Sequence, residues 1–359
     1  MTLAEARAQF PVLDRFAYLN AGSVGPLPRS AAAEMDAWSQ RELLEGRGSL
    51  AYFTDMLELR EHARARLGEL VGVDGSTIAL TSATTDACNI VVGGLELGPD
   101  DEVVTTDVEH FGLTGPLHAS GARVRVAGVK DRAAAEALEA VLSEVTPRTR
   151  LLALSHVAWT TGQVLPVAEL KRETGLPLLV DGAQSVGAIP VDASGFDFYT
   201  VSGQKWLCGP VPTGALAVAE PDALRVAAPS YLSQAGYEPD GRFVPREGAA
   251  RFDSGWIPPG FLSGLLAAVD AAPDWRFERA REAAARCREL LAERYEVVTE
   301  PGQATLVSFR PDGDASEVAA RLLETGVIVR DLPGTGWVRV SCGYWTSDED
   351  LERLLAALG

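Results

Sequence analysis

Lysine is nearly missing from this chain. All but three of its 32 basic residues are arginine, and the exceptions are Lys130, Lys171 and Lys205. Chemistry that needs an amine nucleophile therefore has very few candidates. Cysteine is as sparse. Cys88, Cys208, Cys287 and Cys342 form no CxxC pair and no spacing suited to zinc, which argues against a metal site and leaves them as free, mostly buried thiols in a reducing compartment. No apolar run approaches the length of a membrane helix, and residues 1–10 lack an apolar signal core, so no membrane association is expected and a cytoplasmic location is the simplest expectation. Basic clusters are missing too. With a net charge of −18 the chain would be repelled by a phosphate backbone, which argues against nucleic acid as a partner and makes the acidity a matter of solubility. No segment repeats at a fixed period.

What is present is strand–helix alternation. Hydrophobic residues make up 47% and charged residues 23%, enough for a sizeable core. Between about Gly72 and Val218, strands are predicted at 77–80, 102–105, 122–126, 151–154, 178–180, 198–201 and 214–218. Most are continuous Val/Leu/Ile runs, as in strands buried on both faces. The expected fold is α/β, a mainly parallel seven-stranded sheet with helices on both sides. Beyond Pro259 the pattern becomes helix (261–271), helix (275–295), strand (304–309), helix (315–325), strands (327–331 and 337–341) and a last helix (347–358). The acidic run Asp348-Glu349-Asp350 suits the N-terminus of that helix. The expected division is an N-terminal segment, 1–25, packing on a small domain; a large domain, 26–258; and a small α+β domain, 259–359. A helix near 30–44 is expected to pack on the small domain or on a partner subunit.

Four motifs carry the chemistry. In Leu178-Leu179-Val180-Asp181-Gly182-Ala183-Gln184-Ser185 an apolar strand ends in a carboxylate, at the edge where ligands of open α/β sheets collect. An Asp after a strand is also a common turn residue. The next strand, Phe198-Tyr199-Thr200-Val201-Ser202-Gly203-Gln204-Lys205, places a lysine among small and polar residues, 24 positions after Asp181. Lys130 and Lys171 are expected on solvated helix faces; Lys205 is not. A lysine that forms a Schiff base must shed its proton, which burial beside a cationic ring promotes. Pyridoxal 5′-phosphate (PLP) chemistry also needs a carboxylate against the pyridine nitrogen. Lys205 and Asp181 fit those two roles. In Thr81-Ser82-Ala83-Thr84-Thr85-Asp86-Ala87 a strand gives way to a helix, which is either an ordinary cap or a phosphate site. The histidine of Val108-Glu109-His110, after a strand, either stacks on a flat ring or simply packs.

Together these residues resemble the class V aminotransferase group of fold-type I PLP enzymes, which includes the cysteine desulfurases. The resemblance runs from Tyr18-Leu19-Asn20-Ala21-Gly22 to the C-terminal helix and is strongest between Thr84 and Gly209. It implies a Schiff base at Lys205, Asp181 on the pyridine nitrogen, Gln184 near the phenolic oxygen and His110 on the ring. It assigns phosphate binding to Thr84, Ser202 and Gln204, the last replacing a histidine common in the group; at the helix start the hydroxyl of Thr84 or Thr85 would add a donor. Arg339, in Val338-Arg339-Val340-Ser341, matches the arginine that clamps the substrate carboxylate; without the resemblance it would be a surface strand residue. Asn20, Ala21 and Gly22 are implied at the substrate site. Within the group the likeness is greater to the cysteine/cystine C–S lyases, through Leu154-Ser155-His156-Val157-Ala158-Trp159-Thr160-Thr161-Gly162-Gln163-Val164-Leu165-Pro166, Val180-Asp181-Gly182-Ala183-Gln184-Ser185 and Lys205-Trp206-Leu207-Cys208-Gly209-Pro210. Trp159 stands where desulfurases carry an asparagine and is expected to wall the leaving-group pocket.

Two departures matter. Desulfurases carry a persulfide-forming cysteine before the substrate arginine, but Val329-Arg330-Asp331-Leu332-Pro333-Gly334-Thr335-Gly336-Trp337 has none. Persulfide chemistry is therefore disfavoured, and β-elimination from a cysteine-type amino acid is expected. Transamination and epimerisation on the same scaffold are the alternatives. A PLP-binding protein without catalysis runs against the intact Lys205, Asp181 and Arg339. Arg251-Phe252-Asp253-Ser254-Gly255-Trp256 lies where relatives use a threonine to reach the neighbouring subunit's phosphate, so that contact is expected to be lost or moved to Ser254. Sharing of this kind implies a homodimer with its sites at the interface.

Overall fold

In the computed structural model, which describes residues 1–359, the chain opens with α1 (Leu3–Ala8), the short strand β1 (Ala17–Tyr18) and two long helices, α2 (Arg29–Glu45) and α3 (Leu50–Val71). The alternating region follows. It runs β2 (Ile78–Thr81), α4 (Thr84–Gly94), β3 (Glu102–Thr106), α5 (Phe111–Ala119), β4 (Arg123–Ala127), α6 (Ala137–Leu142), β5 (Thr149–Ser155), α7 (Val167–Thr174), β6 (Leu178–Asp181), β7 (Phe198–Ser202) and β8 (Gly214–Val218). The seven strands form one sheet in the order β2-β8-β7-β6-β5-β3-β4, parallel except for β8, which is reversed against both its neighbours.

Successive residues of the central strands feed opposite cores. Leu152, Leu154, Leu178 and Val180 join the core on one face, while Leu151, Ala153 and Leu179 join the core on the other. This two-sided burial is why those segments read as continuous apolar runs rather than alternating ones. Edge strand β4 (Arg-Val-Arg-Val-Ala) departs from it: paired only with β3, it leaves Val126 49% exposed.

Helix α3 has no counterpart among the expected elements. Its Arg60 and Arg64 are buried, so the apolar face is interrupted by charge and its period is masked. Both arginines close on Asp253, which is fully buried. Arg64 grips both carboxylate oxygens, at 2.8 and 2.6 Å, Arg60 donates at 2.5 Å, and the Leu80 amide of β2 donates at 2.9 Å. Removing one partner of such a cluster leaves uncompensated buried charge and costs about 3–5 kcal/mol.

A small hairpin, β9 (Gln234–Tyr237) with β10 (Phe243–Pro245), precedes α8 (Pro259–Asp270) and α9 (Arg276–Ala292). Helix α8, which the expected division at 259 assigns to the small domain, puts Leu262, Leu265, Leu266 and Val269 into a core of the large sheet. It lies against α2: a Cβ on Gly260 would meet Trp38 Cβ at 3.0 Å, so glycine permits the close approach.

The remaining elements are β11 (Glu296–Val297), β12 (Leu306–Arg310), α10 (Ala315–Glu324), β13 (Val327–Ile328), β14 (Arg330–Leu332), β15 (Trp337–Ser341) and α11 (Asp348–Leu358), capped by Ser347. The small antiparallel sheet runs β11-β12-β15-β14. The single strand expected at 327–331 is two, because the chain changes partner at Val329: β13 pairs with β1 and β14 with β15. Ala17 and Leu19 of the N-terminal segment enter the small sheet's core. No helix is long and apolar enough to cross a membrane.

Candidate active site

Because β2, β3, β5, β6 and β7 share one direction, their carboxyl ends open on one side of the sheet. Thr84 and Thr85 follow β2, Glu109 and His110 follow β3, Ser155 ends β5, Asp181 ends β6, and Lys205 stands three residues past β7. Two cavities meet there. The first, about 120 Å³, is bordered by Thr84, Thr85, Asp181, Ser202 and Gln204. The second, about 230 Å³, is bordered by Gly22, Ser23, Arg330 and Arg339. His110, Trp159, Gln184 and Lys205 border both.

Lys205 thus lies at the junction. Burial pulls its amine down to about 8, opposed by the Asp181 charge and aided by Arg339. The loop that carries it is tied by Gly203 N–H to Thr213 O at 2.9 Å and by Gly25 N–H to Gln204 O at 2.8 Å. A Cβ on Gly25 would lie 2.1 Å from Lys205 O, so only glycine passes there. Cys208 packs behind this loop, 3.1 Å from the same Cβ position. It borders neither cavity, and burial pushes its thiol up. The other two lysines are engaged elsewhere. Lys171 of α7 pairs with Asp197 at 2.6 Å, and Lys130 sits in a turn over the Trp337 ring rather than on the expected helix face.

Asp181 Oδ1 accepts from the Ala183 amide at 2.8 Å and from Thr200 Oγ1 at 3.4 Å. His110 caps α5, its Nδ1 accepting from the Gly112 amide at 3.0 Å, so a neutral ring carries its proton on Nε2. Burial lowers its pKa, and nearby Lys205 adds to the shift. The ring meets Trp159 edge to face, centroids 5.2 Å apart. Gln184 donates to Gly22 O at 2.8 Å and accepts from Trp206 Nε1 at 2.9 Å, leaving one amide hydrogen for a ligand.

At the other end of the first cavity, α4 begins behind Ala83, which has no side chain to cap it. The buried Thr84 Oγ1 and Ser202 Oγ have no partner, nor does Gln204 Oε1. Free helix N–H groups and unpartnered hydroxyls form a site for an anion. Ser254 is used within its own chain, its Oγ accepting from the Ser82 amide at 3.1 Å. Trp256 stays 50% exposed, edge-on to Phe53.

Arg339 is 1% exposed, yet its hydrogen-bond partners are neutral: Trp159 O at 2.9 Å and Ser23 Oγ at 3.2 Å, with Nε unpartnered. Burial pulls its guanidinium down to about 9, and Arg330 adds to the shift. Glycine at position 22 makes room for the guanidinium, since a Cβ there would come 2.8 Å from Arg339 Nη2. Of the three residues implied from the N-terminal segment, Gly22 borders the second cavity. Asn20 instead bridges to Ser341, and Ala21 is buried in an apolar cluster. Ser23, Ser155 and Arg330 are site residues that the sequence motifs did not single out; only proximity to Gly22, the β5 end and Arg339 could have suggested them.

An anion cradle, a carboxylate wall, a flat-faced histidine and an enclosed amine fit a planar, phosphate-bearing aldehyde. The family model for aminotransferase class-V matches residues 18–354. The chain belongs to the class V aminotransferase family. Within it, the chain is 32% identical to isopenicillin N epimerase of Streptomyces clavuligerus, across 99% of this chain and 97% of that one. It is 33% identical to a cysteine desulfurase of Haloferax volcanii, across 75% of this chain and 68% of that one. The cystine C–S lyase C-DES, solved with its product cysteine persulfide, superposes with a TM-score of 0.88 at 30% identity, covering 98% of this chain and 99% of that one. A lysine-to-alanine variant of C-DES holds glycine covalently linked to its PLP cofactor. Epimerase, desulfurase and lyase chemistries thus share this family's fold.

Proposed function

We propose that the chain binds PLP in the first cavity and performs β-elimination on cysteine, cystine or an S-substituted cysteine or its sulfoxide, giving pyruvate, ammonia and a sulfur product. The observation that carries this reading is the position of Lys205, the amine at the junction of an anion-binding cavity and an arginine-lined one. Thr84, Thr85, Ser202 and Gln204 would hold the phosphate, Asp181 the ring nitrogen, Gln184 the phenolic oxygen and His110 the ring face. When bound, the cofactor supplies an electron-accepting ring that stabilises negative charge at the substrate α-carbon.

The protein's own part is to bind, orient and move a proton. Arg339 anchors the α-carboxylate, and its lack of any carboxylate partner leaves the fork free to do so. Lys205, with its amine lowered toward neutrality, takes the α-proton as general base. The β-carbon–sulfur bond then breaks and the electron pair leaves with sulfur, as hydrosulfide from cysteine, a thiolate from an S-substituted cysteine, a sulfenate from its sulfoxide, or a persulfide from cystine. Water hydrolyses the released aminoacrylate to pyruvate and ammonia. Trp159 walls the side on which sulfur departs. No cysteine borders either cavity, which supports release of sulfur to solution. The family's dimeric habit supports a homodimer, with the exposed Trp256 and Phe53 at its interface.

A second reading, return of the proton to the α-carbon as an epimerase, is favoured by the full-length similarity to isopenicillin N epimerase. One assay separates the readings. The purified protein is scanned for a yellow band, then given cystine, cysteine and an S-substituted cysteine sulfoxide. Stoichiometric pyruvate supports the lyase. Alanine with sulfane sulfur would make it a desulfurase, and α-proton exchange without pyruvate would make it an epimerase.

A further inference from the structure

Glu109 is a second carboxyl beside the wall formed by Asp181, and the proposed reaction gives it no role. Its Oε1 accepts from Thr106 Oγ1 at 2.6 Å, and its Oε2 accepts from the Ser155 amide at 2.9 Å and Ser155 Oγ at 2.5 Å. Ser155 and Asp181 are register partners at the ends of neighbouring strands β5 and β6, and both border the first cavity. Ser155 therefore lies on the strand between the Glu109 loop and Asp181, with one hydroxyl proton to give. While Glu109 is ionised that proton is committed to it; when Glu109 is protonated the hydroxyl is free to turn away.

We infer that Glu109 is a positioning residue whose proton is coupled, across Ser155, to the charge on Asp181, so that binding of the cofactor's cationic ring against Asp181 drives a proton off Glu109. This rests on the cofactor assignment above. Two neighbouring carboxylates in an enclosed site disfavour each other's charge until a cation compensates one of them. The residue is half-buried overall, but its carboxyl end is enclosed. Burial pushes it up to about 7, hydrogen bonds from Ser155 and Thr106 oppose the rise, and the Asp181 charge adds to it. None of the other titratable neighbours brings a cation to bear on Glu109 itself. His110, next in the chain, is shifted toward its neutral form, and Cys88 of α4 is a thiol raised well above its ordinary value by burial. Lys205, from the loop after β7, is held toward its charged form by Asp181 and lies on the far side of that carboxylate's wall from the Glu109 loop in strand order. The step itself is simple: the Glu109 O–H bond breaks, the proton goes to solvent, and the electron pair stays on the carboxylate.

Calorimetric titration of the cofactor-free protein with PLP, in two buffers of different ionisation heat, counts the protons exchanged. Wild type is expected to release measurably more protons than Glu109→Gln at pH 6–7 and no more at pH 9, where the empty site is already ionised. Ser155→Ala keeps the backbone and Thr106 bonds but removes one donor, and is expected to move the excess release to higher pH. Equal proton counts in wild type and Glu109→Gln at pH 6–7 would overturn the inference, as would a Ser155→Ala profile that does not shift. A clamp that merely holds His110 would weaken cofactor binding equally at every pH and leave the counts unchanged. Absence of binding heat and yellow colour in wild type would overturn the cofactor assignment, and this inference with it.

Discussion

The two cavities that meet at Lys205 are built on opposite electrostatic plans. The first sets Asp181 among hydroxyls and amides of the chain itself, with Glu109 behind Ser155, and leaves unpartnered groups around the start of α4. The second borders two arginines, and the buried one finds neutral partners alone. Each half lacks a charge that the chain could have provided. A buried guanidinium without a carboxylate carries a desolvation cost, as does an anion cradle without an anion. Both are offset when a ligand brings the complement: a phosphate to one half, a carboxylate to the other. On the proposed assignment, cofactor affinity and substrate affinity rest on different residues, with only the shared wall serving both.

Substitutions should separate the halves. The largest effect is expected at the junction, where Lys205→Ala removes both attachment and base. Turnover should fall on the order of 10⁴-fold, and the yellow band should be lost, read by absorbance and pyruvate release. Arg339→Ala should raise KM roughly 10- to 150-fold, the worth of a charged hydrogen-bond pair, while the absorbance of bound cofactor stays unchanged. Loss of cofactor in that variant would merge the two cavities into one functional unit. Capture of PLP by the empty protein should speed up about tenfold per pH unit below pH 8 and level off above it, because the amine reacts only when deprotonated and burial brings its pKa down to about 8. Stopped-flow absorbance measures this directly. Smallest of all, Ser202→Ala should weaken cofactor binding by about 1 kcal/mol, roughly fivefold, with KM for the amino acid untouched.

Much of this plan was legible in the sequence, for a physical reason. Asp181 and Lys205 each follow a strand buried on both faces, so the apolar runs mark the strand ends and the odd polar residue marks the site. Lysine scarcity sharpened the signal further. Helix α3 was not legible, because Arg60 and Arg64 are charged residues in core positions and become interpretable only once Asp253, nearly 200 positions away, closes on them. Arg330 was hidden for a related reason: β13 and β14 divide a segment that reads as one strand, and the division is imposed by partners from both ends of the chain. Ser155 and Glu109 stand inside motifs that drew notice for His110 and Trp159, and their own proximity to Asp181 comes from the order of β3, β5 and β6.

The stretch from Ala17 to Gly25 is stitched at both ends. Ala17 and Tyr18 run beside β13 of the small sheet, and eight residues after Ala17 the Gly25 amide holds Gln204, the residue before the reactive lysine. This short strap behaves as a tie rod. It fixes the lysine loop to the small sheet, whose strand β15 carries Arg339, so the spacing between Lys205 and Arg339 is set in part by residues far from both in sequence.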